Sequence, residues 1–464
     1  MRLFELLNKY VHEDSEHIVF TDITRSITNG QLWQFIHNNR KYLLEKGFHN
    51  QVVAYRIGSQ IKFAMDFLSL MAAGCWVIPI SSDVSEETYD KLMEKYKIFL
   101  TIDSYFLPED YCGSTYKLFN QDEENCGIYH LTSGSTGEPK LCIRSLRALK
   151  EEGISYQRLF SLQSLKIVSL APIYHSFSFG AAYMTALVSD SSIYLFDKFI
   201  PRRVVDVIGK WKANVVIAVP VMIKAVATVS LLEKYDFSKL SIVLVGTGMV
   251  PEEIRKIFKK RFGVYVSSNY GSTETGGIIS RLTEEPAESI GKEMLGVEIK
   301  IIRKDGSEAE IGEEGEAYVK CKYMMDTYLG DETKSSYKDK FLPMGDLMIK
   351  DYQGLYYITG RIKNIINIGG KKVNPKEVEG VLLRYSGIKD CIVCKAIRTN
   401  NREIVKAVIV GEGLSKESIR KYLKKNLAEY KIPSLIEFVD SIERNELGKI
   451  VKEGTRGAEE NFEG

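Results

Sequence analysis

The sequence predicts an α/β protein: a large N-terminal domain of layered α/β subdomains with a β-rich subdomain, then a small α+β C-terminal domain. Three observations predict it. Short apolar runs alternate with amphipathic stretches from the N-terminus to about residue 260, the pattern of parallel strands joined by covering helices. Past about residue 290 helical periodicity gives way to strand-like runs. Beyond residue 360, about 100 residues carry helices and strands of their own, enough for a separate small domain.

In chain order, residues 31–46 place apolar side chains at helical spacing and end before Gly47, a helix with a glycine stop. Residues 52–55 follow as a strand, 63–73 as a helix and 76–79 as a strand. A third helix spans 86–96 and a strand 98–102. The alternation resumes with a strand at 166–171, a loop at 172–180 and an apolar helix. Strands at 192–196, 215–219 and 240–245 alternate with helices at 201–212 and 252–260, each of these helices following or opening on a proline. Residues 297–307 read as a strand and turn and 315–321 as another strand of the β-rich part. The domain boundary falls near Gly360, giving domains of 1–360 and 361–464. The second is expected to carry helices and strands of its own at 375–385, 388–396, 404–410, 416–426 and 435–439.

Composition excludes several classes. The chain has 464 residues, 44% hydrophobic and 27% charged, with a formal net charge of +2. Such a balance gives no general attraction to nucleic acid or anionic membrane. The longest apolar stretch, 67–80, contains Gly74 and Pro79 and falls short of the ~20 residues of a bilayer span. The N-terminal segment turns charged by Lys9 and Glu13, so no signal peptide is expected. Seven scattered cysteines point to free thiols in a reducing, cytoplasmic setting. Cys391 and Cys394 form a C-x-x-C, but on a strand residues three apart face opposite sides, and no second pair completes a zinc site.

Five stretches carry candidate chemistry. The first runs Tyr129-His130-Leu131-Thr132-Ser133-Gly134-Ser135-Thr136-Gly137-Glu138-Pro139-Lys140. Its glycines let backbone approach a ligand closely, its hydroxyls and turned N–H groups donate, and its lysine is cationic, a set that suits a polyphosphate. The spacing does not fit G-x-x-x-x-G-K-[ST], because Lys140 follows Gly-Glu-Pro. The second is Gly246-Thr247-Gly248-Met249, between a strand and Pro251. It is either a tight strand-to-helix turn or a backbone surface for a flat ring, and it lacks the third glycine of a dinucleotide fingerprint. The third is Asn269-Tyr270-Gly271-Ser272-Thr273-Glu274. Tyr270 can stack on a base, Thr273 can bond a phosphate, and Glu274 can hold Mg2+ through oxygen; alone, the stretch would pass for a polar loop. In the fourth, Asp346 can accept ribose hydroxyls and Arg361 can reach a ribose or phosphate oxygen, or the two can form a surface ion pair. The fifth is Leu447-Gly448-Lys449-Ile450, a lysine in a glycine-containing loop.

Together and in this order, the stretches at 132–140, 269–274, 344–346, 360–379 and 447–450 resemble the adenylate-forming superfamily: acyl-CoA synthetases, carrier-protein-directed adenylation domains and beetle luciferases. The resemblance implies an AMP-forming acid–thiol ligase that uses ATP and Mg2+. A carboxylic acid becomes acyl-AMP with loss of pyrophosphate, and a thiol of CoA, or of a carrier-protein phosphopantetheine supplied in trans, takes the acyl group. It implies that residues 132–140 hold the β- and γ-phosphates, that Gly246 to Met249 and Asn269 to Ser272 flank adenine, and that Thr273 and Glu274 serve the α-phosphate and the metal. Asp346 and Arg361 would hold the ribose, with Ile358 beside the nucleotide. Lys449 would bridge acid, ribose and α-phosphate, and His175 would stand at the mouth of the acyl pocket. Lys363 matches a hinge about which a mobile C-terminal domain rotates, bringing Gly369-Gly370-Lys371 to the pantetheine arm.

The chain departs from the usual pattern at Leu141, Met249, Asn364 and Asn445, none of which removes a charged group. Amino-acid-activating members carry S-F-D where this chain has Ser176-Phe177-Ser178. A substrate ammonium would lack its partner there, which is costly in an apolar pocket, so a fatty or aryl acid is expected. Phe177, Phe179, Tyr183, Met184 and Val221 are candidates for the pocket lining or for plain core. The alternatives are an amino- or aryl-acid-activating enzyme serving a carrier protein, and an ATP-binding module without ligase activity.

Overall fold

The computed structural model describes residues 1–464 apart from 110–117, 120, 133–139, 162–163, 231–233, 285, 287, 331–339, 399–401 and 443–464. The chain divides into two compact units. The first comprises residues 1–287, 291–298 and 320–342; the second comprises 288–290, 299–319 and 343–464.

The first unit is built on two large sheets. In the nine-stranded sheet, six parallel strands run in the order Val266–Ser272, Ile242–Val245, Val215–Ala218, Lys166–Ser169, Ser192–Leu195, Ile18–Thr21. Antiparallel strands extend both sides, Gly276–Arg281 pairing with Val266–Ser272. The six-stranded sheet orders Thr327–Tyr328, Lys140–Ser145, Gly127–Thr132, Trp76–Ser81, Val52–Ile57, Leu100–Asp103. Its last four strands are parallel, and helices separate the three that come first in sequence, Val52–Ile57, Trp76–Ser81 and Leu100–Asp103. The expected helices are Asn29–Glu45, Gln60–Ala72 and Glu86–Tyr96. The first is closed by a capping box, Thr28 accepting from the Gln31 N–H while the Gln31 side chain accepts from Thr28 N–H. Gln60–Ala72 is buried along its whole length, so its wall of apolar residues has no solvent face.

Two differences from the sequence reading bear on the site. The apolar helix after residue 180 begins as a π-helix, Phe179–Met184, between short α-helical pieces Ser176–Ser178 and Thr185–Val188. Phe179, Tyr183 and Met184 are fully buried there, with Phe179 edge-on to both Phe67 and His130. They are core rather than pocket wall, whereas Phe177 is half-buried. The second difference is the helix Leu146–Phe160, unassigned from sequence because charges and Gly153 interrupt its apolar face. Ser145 caps it by accepting from the Ala148 N–H. Its buried side includes Leu149, Glu152, Gly153 and Tyr156.

The second unit holds a four-stranded sheet ordered Val297–Ile302, Gly315–Cys321, Leu342–Lys350, Tyr356–Arg361. It also holds a hairpin, Ile366–Ile368 with Lys371–Val373, and a three-stranded sheet of Ile388–Ile397, Glu403–Gly411 and Leu435–Phe438. Helices Pro375–Leu382 and Lys416–Asn426 contribute Val378, Leu382, Ile419 and Leu423 to its core. Cys391 and Cys394 lie on the strand Ile388–Ile397, as expected. The unit takes in 299–319 and 343–360, which the sequence reading placed in the first 360 residues; strand pairing across this sheet draws them together.

Candidate active site

In the first unit, the loops that follow parallel strands carry the candidate residues, the usual ligand end of an α/β sheet. Thr132 and Lys140 are register partners at the ends of Gly127–Thr132 and Lys140–Ser145, and Thr132 Oγ1 donates to Lys140 O at 3.3 Å. Ser133, Gly134, Ser135, Thr136 and Gly137 lie outside the described residues. The Lys140 ammonium stands 5.1 Å from the centre of the Tyr328 ring, a cation–π distance. The Tyr328 hydroxyl in turn donates to Glu274 Oε1 at 2.7 Å.

Thr273 and Glu274 sit on the turn between Val266–Ser272 and Gly276–Arg281. A small reciprocal box closes that turn. Ser272 N–H donates to Thr275 Oγ1 at 3.1 Å, and Thr275 N–H donates to Ser272 Oγ at 3.3 Å. The turn is gripped from outside as well. Met325 N–H donates to Glu274 O at 2.6 Å, and the Cys142 and Cys321 thiols reach Thr273 O and Thr275 O, each at 3.6 Å. Asn269 accepts from the Tyr156 hydroxyl at 3.2 Å, while Tyr270 is half-buried and Gly271 exposed.

Ile242–Val245 delivers Gly246. A side-chain carbon there would lie 2.8 Å from the Phe177 ring, so glycine is required for this close approach. Thr247 has φ +68°, a strained conformation for a β-branched residue of the kind held at functional loops. Thr247, Gly248 and Met249 are exposed. His175 is half-buried, its ring 4.6 Å from that of Tyr174. It immediately precedes Ser176, whose hydroxyl donates to Thr273 Oγ1 at 3.4 Å. The fold thus brings His175, the Gly246 turn and the Thr273–Glu274 turn to one place, with Lys140 and Tyr328 beside them.

Two buried groups behind this place have shifted protonation. Burial, with Arg144 and then His175 nearby, holds His130 well below the ordinary histidine value. Burial pushes the Cys142 thiol well up, with Glu274 adding to it, so this cysteine is an inert packing group.

In the second unit, Asp346 and Arg361 are register partners on adjacent antiparallel strands. Arg361 Nε lies 3.0 Å from Asp346 Oδ1, with the carboxylate largely buried and the guanidinium exposed. Ile358 is part-exposed on the same strand, and Lys363 occupies the exposed 3-10 turn Ile362–Asn364. Gly369 and Gly370 turn the hairpin with φ +57° and +84°. Asn367 Oδ1 accepts from the Gly370 N–H, and Lys371 stands 5.0 Å over the Tyr430 ring. Lys449 lies outside the described residues.

Sequence reading missed Tyr328, Tyr156, Arg144 and Glu152. Tyr328 follows Tyr323-Met324-Met325-Asp326-Thr327, a stretch with no motif of its own, and the other three belong to a strand and a helix that look like plain framework. A charge at an otherwise apolar strand position, Arg144 in Leu141-Cys142-Ile143-Arg144, was the one available signal.

Comparison with known proteins gives a consistent answer. The family model described as AMP-binding enzyme matches residues 110–329, and that of the AMP-binding enzyme C-terminal domain matches 377–449. An indoleacetate–CoA ligase from Aromatoleum aromaticum is 28% identical over 335 residues, covering 70% of this chain and 66% of that protein. A feruloyl-CoA synthase from an Amycolatopsis species is 28% identical over 333 residues, covering 69% and 67%. The chain therefore spans about two thirds of the length of these relatives. The crystal structure of ATP-bound MatB from Rhodopseudomonas palustris superposes with a TM-score of 0.86 at 21% identity, covering 98% of each chain.

Proposed function

The chain belongs to the adenylate-forming superfamily of AMP-binding enzymes, and from that membership we propose that it is an AMP-forming acid–thiol ligase whose substrate is a fatty or aryl carboxylic acid and whose acceptor is CoA. The observation that carries the reading is the joint placement of His175, the Gly246 turn and the Thr273–Glu274 turn in the first unit. Relatives named indoleacetate–CoA ligase and feruloyl-CoA synthase support an aryl acid and the CoA acceptor.

In the first half-reaction a carboxylate oxygen of the acid attacks the α-phosphorus of ATP. The bond to the bridging oxygen breaks and pyrophosphate leaves. In the second, the thiol sulfur attacks the acyl carbon, AMP departs with the carboxylate-derived oxygen, and the thiol proton passes to solvent. Negative charge grows on phosphate oxygens in the first step, so placed donors and cations supply most of the catalysis. Lys140 and residues 132–137 hold the pyrophosphate end. Thr273 donates to the α-phosphate, and the exposed backbone at 247–249 with Tyr270 packs adenine. Asp346 accepts from the ribose hydroxyls and Arg361 reaches a ribose oxygen; Ile358 packs beside the nucleotide. Lys449 stabilises the bond-forming carboxylate and α-phosphate. His175 borders the acyl group. Lys363 is the hinge, and Gly369, Gly370 and Lys371 serve the pantetheine arm in the second half-reaction.

The donor set around Glu274 fits Mg2+, which accepts one or two carboxylates together with phosphate oxygens. Glu274 is half-buried with its Oε1 bonded to Tyr328, and among the described residues no group of three metal-ligating side chains builds a cage. Bound there beside ATP, Mg2+ would neutralise charge between the phosphates.

The test is acid-dependent ATP–pyrophosphate exchange over fatty, aryl and amino acids, followed by thioester formation with CoA or a loaded carrier protein. Exchange with fatty or aryl acids and transfer to CoA is expected. Absence of exchange with every acid overturns the ligase reading, best exchange with an amino acid overturns the substrate class, and transfer to the carrier protein alone overturns the acceptor.

A further inference from the structure

The strand Lys140–Ser145 presents alternate residues to the turn that bears Thr273 and Glu274. Lys140 lies over the ring of Tyr328, which bonds Glu274; Cys142 reaches Thr273 O; and Arg144 ends in a buried ion pair. Arg144 Nη2 lies 2.7 Å from Glu152 Oε2, with both side chains fully buried. The same Nη2 donates to Tyr323 O at 2.7 Å, and Glu152 Oε1 accepts from the Gly277 N–H at 3.1 Å. Tyr323 closes the circuit by donating its hydroxyl to Gly277 O at 2.8 Å. One turn along the helix, Tyr156 bonds Asn269. Gly276 and Gly277 leave no room for side chains against Glu152 and Tyr156. Both strands of the hairpin therefore rest on this platform.

Resting on the ligase reading above, we propose that Arg144 and Glu152 are positioning residues for adenylation: the buried pair fixes the 269–274 segment in register with the strand that carries Lys140. A pair retained only for stability would be a poor choice. Replacing a buried ion pair by apolar side chains is often neutral or stabilising, whereas removing one partner is not.

The experiment compares wild type, E152Q, and the double variant R144M/E152M, at a temperature where each is folded by circular dichroism. Readouts are exchange kcat, KM for the acid, and ATP affinity by calorimetry. The double variant is expected to regain most of the stability lost in E152Q, yet to keep a kcat lowered about tenfold or more, since small misplacements are costly. KM for the acid should stay within about threefold, because His175 and Phe177 lie on another segment, and ATP should bind several-fold more weakly. A folded double variant with wild-type kcat and ATP affinity overturns the proposal. If wild type itself gives no exchange, the ligase reading has failed, and the positioning role stands or falls on the ATP affinity alone.

Discussion

Replacing Tyr328 with Phe removes one hydroxyl and leaves the ring. In the wild-type protein that hydroxyl donates to Glu274 Oε1 at 2.7 Å, and the ring carries the Lys140 ammonium 5.1 Å from its centre. The cation–π contact survives in Phe, so the variant isolates the hydrogen bond. A hydrogen bond to a charged group contributes ~1.5–3 kcal/mol. Glu274 is only half-buried, so solvent screening lowers this to about 1–2 kcal/mol. If the bond aims the carboxylate in the adenylation transition state, this loss corresponds to about a 5- to 30-fold fall in kcat/KM. Measured by pyrophosphate exchange with the best acid, the fall should appear with ATP as the varied substrate. Thioester formation from pre-made acyl-AMP should change little, because pyrophosphate has already gone. Activity of Y328F within twofold of wild type in the first half-reaction would refute the assignment of Tyr328 as the group that orients Glu274.

Three further outcomes are expected. Lys140→Ala should lower the exchange rate about tenfold or more while sparing thioester formation from acyl-AMP; equal losses in both assays would contradict its place at the pyrophosphate end. Asp346→Ala should raise KM for ATP by about tenfold, the worth of one or two hydrogen bonds to a carboxylate, and an unchanged KM would remove it from the ribose contact. His130 stays neutral in the fold because burial lowers its pKa. The unfolded chain takes up its proton near pH 6.5 and the folded chain does not, so stability is full above that pH and falls as pH drops below it. His130→Met should flatten that acid decline, seen as a smaller difference between urea midpoints at pH 7 and pH 5.5; parallel declines in both proteins would exclude His130 as the source.

The sequence by itself determined the layered α/β class, the order of the elements and the contiguous motifs. Their information is local: glycines where backbone must turn, hydroxyls and a lysine within one loop, and an apolar period that separates strand from helix. Asp346 and Arg361 were legible as a possible pair, and the fold makes them register partners. Tertiary structure alone decided what supports those motifs. Arg144 and Glu152 are eight residues apart and Glu152 meets Gly277 across 125 positions, so no local pattern announces the contact. Tyr328 reaches Glu274 because the chain returns after residue 320 to pair Thr327–Tyr328 with Lys140–Ser145. The π-helix at Phe179–Met184 was hidden for a related reason: its residues fit an α-helix equally well, and burial against Phe67 and His130 is what makes them core. A motif can be read along the chain because its chemistry is carried by neighbours in sequence. The groups that hold it in place are neighbours only in space, and their partners are chosen by packing.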